Sequence, residues 1–147
     1  MYRHILIPTD GSEVAQKGVV AGIGLAKTLG ARVTLVTVSE TLPVFADPTG
    51  FGAPTVDLSD YWAAEEESAK RVLDGAKTFA DQAGVPAETL HIPRGQPAEA
   101  IVEAARSKGC DLIAMASHGR RGVGRLLLGS QTSEVLAHSL VPVLVVK

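Results

Sequence analysis

The sequence predicts an α/β fold with an open, five-stranded parallel sheet and helices on both of its faces. Five short apolar segments alternate with segments of helical period, and residues 112–115 and 143–146 contain no polar side chain. Strands of this kind are typical of parallel sheets that are covered on both faces. Short connections between alternating strands and helices imply right-handed crossovers. The chain has the length of a single domain, which we place at residues 1–147.

The predicted strands are residues 5–7, 32–38, 89–92, 112–115 and 141–146. The first helix follows Ser12, whose hydroxyl can accept a bond from a free N–H group of the first turn, and it stops at Gly30, which suits the left-handed position after a helix. The second helix begins near residues 57–59 and stops at Gly84. Its buried stripe is predicted to contain Ala69, Val72, Leu73, Ala76, Phe79, Ala80 and Ala83.

The third helix has Pro97 near its first turn, where a missing N–H group does no harm, and it stops at Gly109. The fourth helix begins after Gly129 and gives way at Pro142. The buried stripes are predicted as Ala98, Ile101, Val102 and Ala105 in the third helix and Val135, Leu136 and Leu140 in the fourth. The predicted element order is therefore β-α-β-α-β-α-β-α-β.

Composition and charge give no sign of nucleic-acid or membrane binding. The net charge is −2 at pH 7 and the isoelectric point is near 6.1, so no basic surface is predicted. No window approaches the length of a membrane span, and the apolar run before Pro8 is too short for a signal peptide. Cys110 is the single cysteine and cannot form an internal disulfide. We therefore expect a cytoplasmic protein without nucleic-acid or membrane partners.

Residues 39–56 depart from the short connections elsewhere in the chain. They contain three prolines and two glycines and have no clear period. A loop of this length inside a compact domain is typically a lid or binding loop, or is disordered. The alternative is a surface insertion without a role in binding, and the sequence favours neither.

Two predicted strand ends carry unusual residues, and open parallel sheets bind ligands beyond the carboxyl ends of their strands. The first strand ends in Pro-Thr-Asp-Gly-Ser at residues 8–12, and the fourth continues into a glycine-rich segment at residues 116–132. This segment contains four glycines and three arginines, and no acid lies between Asp111 and Glu134. Because it leads into a helix start, its free N–H groups and arginines predict a phosphate site.

Each of these features has a second interpretation. The glycine-rich segment could be only a tight connection whose arginines face solvent. His118 could be a base, but a lone loop histidine is more often a structural hydrogen-bonding group. Asp10 could hold a ribose hydroxyl, accept a phosphoryl group or cap the turn that follows, and the third strand end lacks the acid that a phosphoryl acceptor would want. No residue is predicted as catalytic or metal-binding, because no suitable cluster stands out.

Two common nucleotide motifs are excluded. The spacing from Gly119 to Gly124 continues with Arg125 and Leu126 instead of Lys and Ser or Thr, so it is not a P-loop. Gly22 and Gly24 begin like a dinucleotide fingerprint but lie inside the first predicted helix. They are better interpreted as close packing of that helix on the sheet.

Three blocks of the sequence, residues 5–12, 117–130 and 142–146, resemble the universal stress protein (UspA) family, and the resemblance extends over nearly the whole chain. The ATP-binding branch of that family carries Gly, two residues, Gly, nine residues, Gly, and then Ser or Thr. Here Gly119 and Gly129-Ser130 fit this spacing, with Ala116 at the first position. If that position requires a positive φ, the alanine would weaken binding about five- to thirtyfold.

The resemblance implies a Rossmann-like sheet in the order 3-2-1-4-5, with ATP, alone or with Mg²⁺, at the switch point between the first and fourth strands. Adenine and ribose would be contacted by Pro8, Thr9, Asp10, Val38 and Met115. The phosphates would be held, beside Ala116, by Gly119, Gly129, Ser130, Gln131 and Thr132. The resemblance also implies a homodimer in which last strands pair edge to edge, where residues 143–146 would form an apolar edge.

Three functions remain open at this point. The first is a nucleotide-binding regulatory protein of the stress response, in which ATP changes a conformation or partner surface and hydrolysis is absent or slow. The second is an enzyme that hydrolyses ATP or transfers nucleotidyl groups. The third is a dimeric interaction protein that binds no nucleotide. We prefer the first, because the predicted phosphate site comes without an evident general base or P-loop lysine.

Overall fold

The computed structural model describes residues 1–40, 58–118 and 128–147. Most of the loop predicted at residues 39–56 lies outside the described residues, as do Gly119 and the three arginines of the glycine-rich segment. The elements in chain order are β1 (His4–Pro8), α1 (Glu13–Leu29), β2 (Arg32–Glu40), α2 (Ser59–Ala83), β3 (Ala87–Gly95), α3 (Pro97–Ser107), β4 (Leu112–Ala116), α4 (Ser130–His138) and β5 (Val143–Val146).

The described strands form one parallel sheet in the order β3-β2-β1-β4-β5. Strand β1 is central, since Ile5 aligns with Val33 of β2 on one side and with Leu112 of β4 on the other. The α/β class, the five parallel strands and the order 3-2-1-4-5 are thereby confirmed. None of the described helices is both long enough and apolar enough to cross a membrane.

Each face of the sheet carries its own core. Ile5 and Ile7 pack with residues of α1 and α2, whereas Leu6 packs with residues of α3 and α4. This division follows from the alternation of side chains along a strand. All three side chains are fully buried, and residues 112–115 of β4 are buried as well. The prediction of helices on both faces is confirmed.

The predicted helix ends hold with one small shift. The Oγ of Ser12 accepts a hydrogen bond from the Ala15 amide at 3.1 Å and caps α1. Gly30 and Gly84 follow α1 and α2 with φ of 67° and 73°, in the left-handed region where a side chain is disfavoured. Helix α3 ends at Ser107, and Gly109 takes the left-handed conformation two residues later.

The two edge strands differ from prediction. The prediction that residues 143–146 are covered on both faces of the sheet is wrong. Leu144 is 39% exposed, because β5 has a neighbouring strand on one side only and little helix over it. At the other edge, β3 is longer than predicted and contains Pro93. An edge strand tolerates proline, since its outward N–H group needs no ladder partner.

The predicted stripe of the last helix is also partly wrong. Helix α4 ends at His138, so Leu140 lies beyond it and is 86% exposed, while Leu136 is exposed on the helix surface. Only Val135 of the three predicted residues is buried. The helix stops early because the Ser139 hydroxyl bonds both the amide and the carbonyl of Val141, which sets an extended turn before Pro142.

The thiol of Cys110 lies in the core on the α3 side of the sheet, where the residue is 5% exposed. Burial raises the pKa of this thiol to about 11. A thiol that is seldom ionised behaves as a small apolar group, so Cys110 serves packing.

Helix α1 approaches the sheet through glycines. A Cβ at Gly22 would lie 2.6 Å from Cδ1 of Ile7, which confirms close packing there, whereas Gly24 faces open space. Among the described glycines, the tightest approach to another segment's backbone is at Gly18, which was not among the glycines predicted to pack on the sheet. A Cβ there would lie 2.7 Å from the Ala116 nitrogen and 3.1 Å from the Met115 carbonyl carbon. Gly18 therefore sets the distance between α1 and the carboxyl end of β4.

We expect Gly18→Ala to lower the free energy of unfolding by about 1–3 kcal/mol, because the added methyl meets main-chain atoms that cannot rotate away. Gly24→Ala is the matched control on the same helix. Its methyl meets no atom within 4 Å, and alanine is the better helix former, so stability should rise by about 0.5–1 kcal/mol. Urea unfolding of the two variants measures both values; equal effects would contradict the packing argument.

A buried polar network lies at the amino ends of the strands. Nε2 of His4 is 2.7 Å from Oγ1 of Thr34, which donates to Glu88 at 2.8 Å. Because the single hydroxyl proton goes to Glu88, His4 must donate from Nε2, and its Nδ1 has no partner in the described part of the chain. Burial, with the charge of Arg32, lowers the pKa of His4 below its usual 6.5, although the charges of Glu88 and Asp111 oppose this shift.

The free energy of unfolding should therefore fall as the pH drops from 6.5 toward the lowered pKa of His4, because the unfolded chain takes up the proton first. His4→Gln keeps a donor for Thr34 but cannot become charged, so its stability should depend less on pH in this window. Thermal unfolding between pH 7.5 and 5 measures the slope. The exposed His138→Gln is the control, and a slope altered equally in both variants would contradict the assignment.

Candidate functional site

A cavity of about 420 Å³ opens at the carboxyl ends of β1, β2 and β4. The chain leaves β1 toward β2 on one side and later returns to β4 on the other, so a crevice forms where the strand order reverses. Helices α2 and α3 supply its walls and the start of α4 closes one end. Of the predicted site residues, the structure brings together Pro8, Thr9, Asp10, Val38, Met115, Ala116, Gly129, Ser130, Gln131 and Thr132. Gly119 lies outside the described residues.

The end of β1 is held by local hydrogen bonds. The Thr9 amide donates to the carbonyl of Val36 at 2.9 Å, which extends the ladder past Pro8. Oδ1 of Asp10 accepts from the Ser12 amide at 2.9 Å, and Thr9 Oγ1 accepts from the Gly11 amide at 3.2 Å. The interpretation of Asp10 as the cap of this turn is confirmed. Its contact with a ribose stays a prediction, which the fixed carboxylate would favour.

The end of β4 places Ala116 without strain. Ala116 is the last residue of the strand, aligned with Val146 of β5, and it is buried. Arg94 is the one non-glycine residue with a positive φ among those described, so Ala116 does not occupy the left-handed region. The penalty expected if this position required a positive φ therefore does not arise.

Gly129 is required by a close approach. Its amide donates to the carbonyl of Ser117 at 2.8 Å, and a Cβ would lie 3.2 Å from that oxygen and 3.3 Å from Cα of His118. The glycine lets the start of α4 lie against the end of β4. Because its amide already has a partner, Gly129 can contribute proximity to a ligand but not that donor.

The side chains at the start of α4 are engaged within the protein. Oε1 of Gln131 accepts from the Ala98 amide at 3.1 Å, and Oγ1 of Thr132 donates to the Ala116 carbonyl at 3.0 Å. These bonds fix α4 against α3 and β4. No side chain in the described part of the chain caps α4, so the backbone amides of Ser130, Gln131 and Thr132 are the donors that remain for an anion.

His118 lines the same cavity. Its Nδ1 lies 2.8 Å from Oγ of the buried Ser117, while its Nε2 is buried and has no partner within the residues that the structure describes. The structural interpretation of His118 is thus supported for one nitrogen. The other is a polar atom of the kind that a ligand or a bound water usually satisfies.

Sequence reasoning missed one wall of the cavity. Tyr61, Glu65 and Ser68 project from α2, and Ser39 at the end of β2 is held by Nε2 of His91 at 2.8 Å. The available signal was the helical spacing of residues 61, 65, 68 and 72; the predicted apolar stripe begins only at Ala69 and so leaves out the polar residues before it.

The two ends of the cavity differ in electrostatic character. The ionisable side chains that line its described part are Asp10, Glu40, Glu65, His118 and the phenol of Tyr61. The three acids lie toward β1, β2 and α2, whereas the helix dipole of α4 presents positive potential at the other end. No three His, Cys, Asp or Glu side chains in the described ranges are grouped so as to hold a metal ion.

The comparisons of this chain with known proteins all lead to the same family. The model of the Universal stress protein family matches residues 1–147. "Universal stress protein in QAH/OAS sulfhydrylase 3'region" of Thermus aquaticus is 34% identical over 151 residues, which is 100% of both chains. The structure of MJ0577 of Methanocaldococcus jannaschii superposes with a TM-score of 0.83 at 30% identity, over 100% of this chain and 96% of that one.

Two more distant structures share the fold and were solved with nucleotides. The universal stress protein of Archaeoglobus fulgidus in complex with dAMP has a TM-score of 0.70 at 21% identity, over 99% of this chain and 98% of that one. A family protein of Arabidopsis thaliana with AMP bound has a TM-score of 0.69 at 14% identity, over 99% and 91%. Since the family model covers every residue and relatives above 30% identity align over the full length, the chain belongs to the universal stress protein family.

Proposed function

We propose that this universal stress protein binds an adenine nucleotide, with ATP as the preferred ligand, and acts as a nucleotide-dependent regulatory protein of the stress response. One observation carries the proposal. A cavity at the switch point of the sheet has an uncapped helix start at one end and a fixed carboxylate near the other. A nucleotide has the complementary arrangement. Its phosphates offer acceptors, which suit the free amides of the helix start, and its ribose offers hydroxyl donors, which suit the carboxylate.

The phosphates would lie at the start of α4. Its free amides point along the helix axis toward the cavity, and the macrodipole adds a favourable potential. Gly129 allows close approach, and the buried Nε2 of His118 offers a further polar contact nearby. Mg²⁺ would arrive with the triphosphate, since the described residues do not form a metal site of their own.

The base and ribose would lie between β1, β2 and α3. Val38, Met115 and Ile101 give this part of the cavity apolar walls, which suit the faces of a purine. Asp10 stands beside them at the end of β1 with one oxygen fixed by Ser12. The dAMP and AMP complexes of the two distant relatives support an adenine nucleotide in a cavity of this fold.

A homodimer through β5 is part of the proposal. The carbonyls of Pro142 and Val146 accept bonds from β4, so the intervening backbone groups of Val143 and Val145 point to the free edge. With Leu144 39% exposed, this edge would be covered by a second copy. A cytoplasmic location and the lack of a nucleic-acid partner stay predictions from composition.

Ser130→Asp should lower the affinity for ATP tenfold or more, because it places a like charge about 4–6 Å from the proposed phosphates. The change should leave the fold intact, since an acid in the first turn of a helix is favourable. Isothermal titration calorimetry with ATP and Mg-ATP measures the effect, and Ser133→Asp is the control, one turn along α4 and outside the cavity lining. Wild-type protein that shows no binding at millimolar ATP would refute the proposed function.

Light scattering at micromolar protein should give twice the chain mass of 15.3 kDa. Leu144→Lys should shift the protein toward the single-chain mass, because it brings like charges together at the paired edges. Leu140→Lys removes a more exposed leucine outside the strand and should leave the dimer intact. A wild-type monomer would exclude this interface.

A further inference from the structure

Helix α2 extends past the sheet that it covers. Its 25 residues span about 37 Å, whereas the nine-residue strands β2 and β3 span about 30 Å. Leu73, Ala76 and Ala80 pack into the core between α2 and the sheet. The same helix face continues toward the amino end of α2 at residues 61, 65, 68 and 69, where it lines the cavity.

The chemistry of this face changes where it leaves the core. The C-terminal half of α2 presents small and aliphatic side chains, but the first turns present a phenol, a carboxylate and a hydroxyl from Tyr61, Glu65 and Ser68. Polar side chains on the inward face of an amphipathic helix are unfavourable unless something there hydrogen-bonds with them. The change of pattern marks where this face of α2 leaves the core and borders the open cavity, in which Tyr61 is exposed and Glu65 and Ser68 are partly exposed.

Among the described residues, no cationic side chain pairs with Glu65. Asp74 and Asp81 on the same helix pair with lysines four residues earlier, with N–O distances of 3.3 and 2.9 Å. The positions three and four residues from Glu65 hold Tyr61, Trp62, Ser68 and Ala69, none of which is basic. Within the described ranges Glu65 forms no salt bridge, and it is only partly exposed.

The position of α2 selects the end of the ligand that Glu65 would meet. Helix α2 packs on β2 and β3, whereas α4 packs on α3 and β5, so the two helices lie at opposite ends of the cavity. A carboxylate at the α2 end repels phosphate and accepts hydrogen bonds from neutral donors. The nucleoside end of a nucleotide carries such donors, as ribose hydroxyls and as the amino group of adenine.

We propose that Glu65 is a specificity-determining residue, whose carboxylate accepts a hydrogen bond from a hydroxyl or amino group of the nucleoside, while Tyr61 covers that end of the ligand. The proposal rests on the proposed nucleotide-binding function and adds a recognition wall on α2. Glu65 would also fix the orientation of the ligand, since the reversed nucleotide would bring its phosphates against a like charge.

Trp62 provides a reporter for this wall. Its ring makes an edge contact with Tyr61, with centroids 5.1 Å apart, and the guanidinium carbon of Arg94 lies over the ring at 4.1 Å from its centroid. Trp62 is the only tryptophan in the chain. A ligand that contacts Tyr61 should therefore change the tryptophan fluorescence.

The test compares ATP with three analogues in wild-type protein, Glu65→Ala and Glu65→Gln. The 2′-deoxy and 3′-deoxy analogues each lack one ribose hydroxyl, and inosine triphosphate lacks the amino group of the base. Glu66→Gln is the matched control, because it removes the same charge one residue away on the exposed face of α2. Trp62 fluorescence and calorimetry measure the affinities, and thermal unfolding verifies that each variant is folded.

We expect wild-type protein to prefer ATP tenfold or more over the analogue that lacks the recognised donor, since a hydrogen bond to a charged group is lost. Glu65→Ala should abolish this preference, Glu65→Gln should reduce it, and Glu66→Gln should retain it. The analogue that loses affinity identifies the hydroxyl or the amino group as the donor. If Glu65→Ala leaves the preference for ATP over the analogues unchanged, even with tighter binding of ATP, the role of Glu65 alone is overturned. Wild-type protein that binds none of the four ligands would overturn the nucleotide function together with it.

Discussion

The central position of β1 is the constraint on which the rest of this structure depends. Because β1 pairs with β2 on one side and β4 on the other, the chain runs from β1 to one side of the sheet and later returns to the other side, and the ends of three strands meet around a gap. A parallel sheet cannot fill that gap with its own backbone, so loops and helix starts border it. The cavity therefore follows from the strand order, and only its chemistry is left to individual side chains.

A short chain of hydrogen bonds turns this gap into a defined site. The amide of Ser117 bonds to Val146 of β5 and its carbonyl accepts from Gly129, while Thr132 reaches back to the Ala116 carbonyl. The end of β4 thus fixes α4 and the free edge strand at once. Gly18 holds α1 against the preceding peptide group, between Met115 and Ala116, from the other face of the sheet. Ser117 bonds with both the edge strand and the residue before α4, so a displacement of either should also displace the backbone of Ser117.

How much the sequence can predict depends on how local the cause is. Ser12, Gly30 and Gly84 were predictable because capping and left-handed φ involve only neighbouring residues. The exposure of Leu144 was not, since an apolar run has the same pattern in a central strand and at an edge. The cavity residues of β1, β4 and α4 came from motifs, and the strand order from family resemblance. The helical spacing of Tyr61 and Glu65 puts them on one face of α2, but it does not tell that this face lines the cavity, because that depends on where α2 begins relative to the sheet.

The burial of Cys110 makes its thiol a poor target for oxidants. With its pKa near 11, the buried sulfur is ionised at neutral pH in about one molecule in ten thousand. Peroxides and disulfides react with the thiolate, and they must also reach it, which the surrounding core prevents. Oxidants therefore do not modify this thiol while the protein is folded, and Cys110 stays reduced after exposure to them.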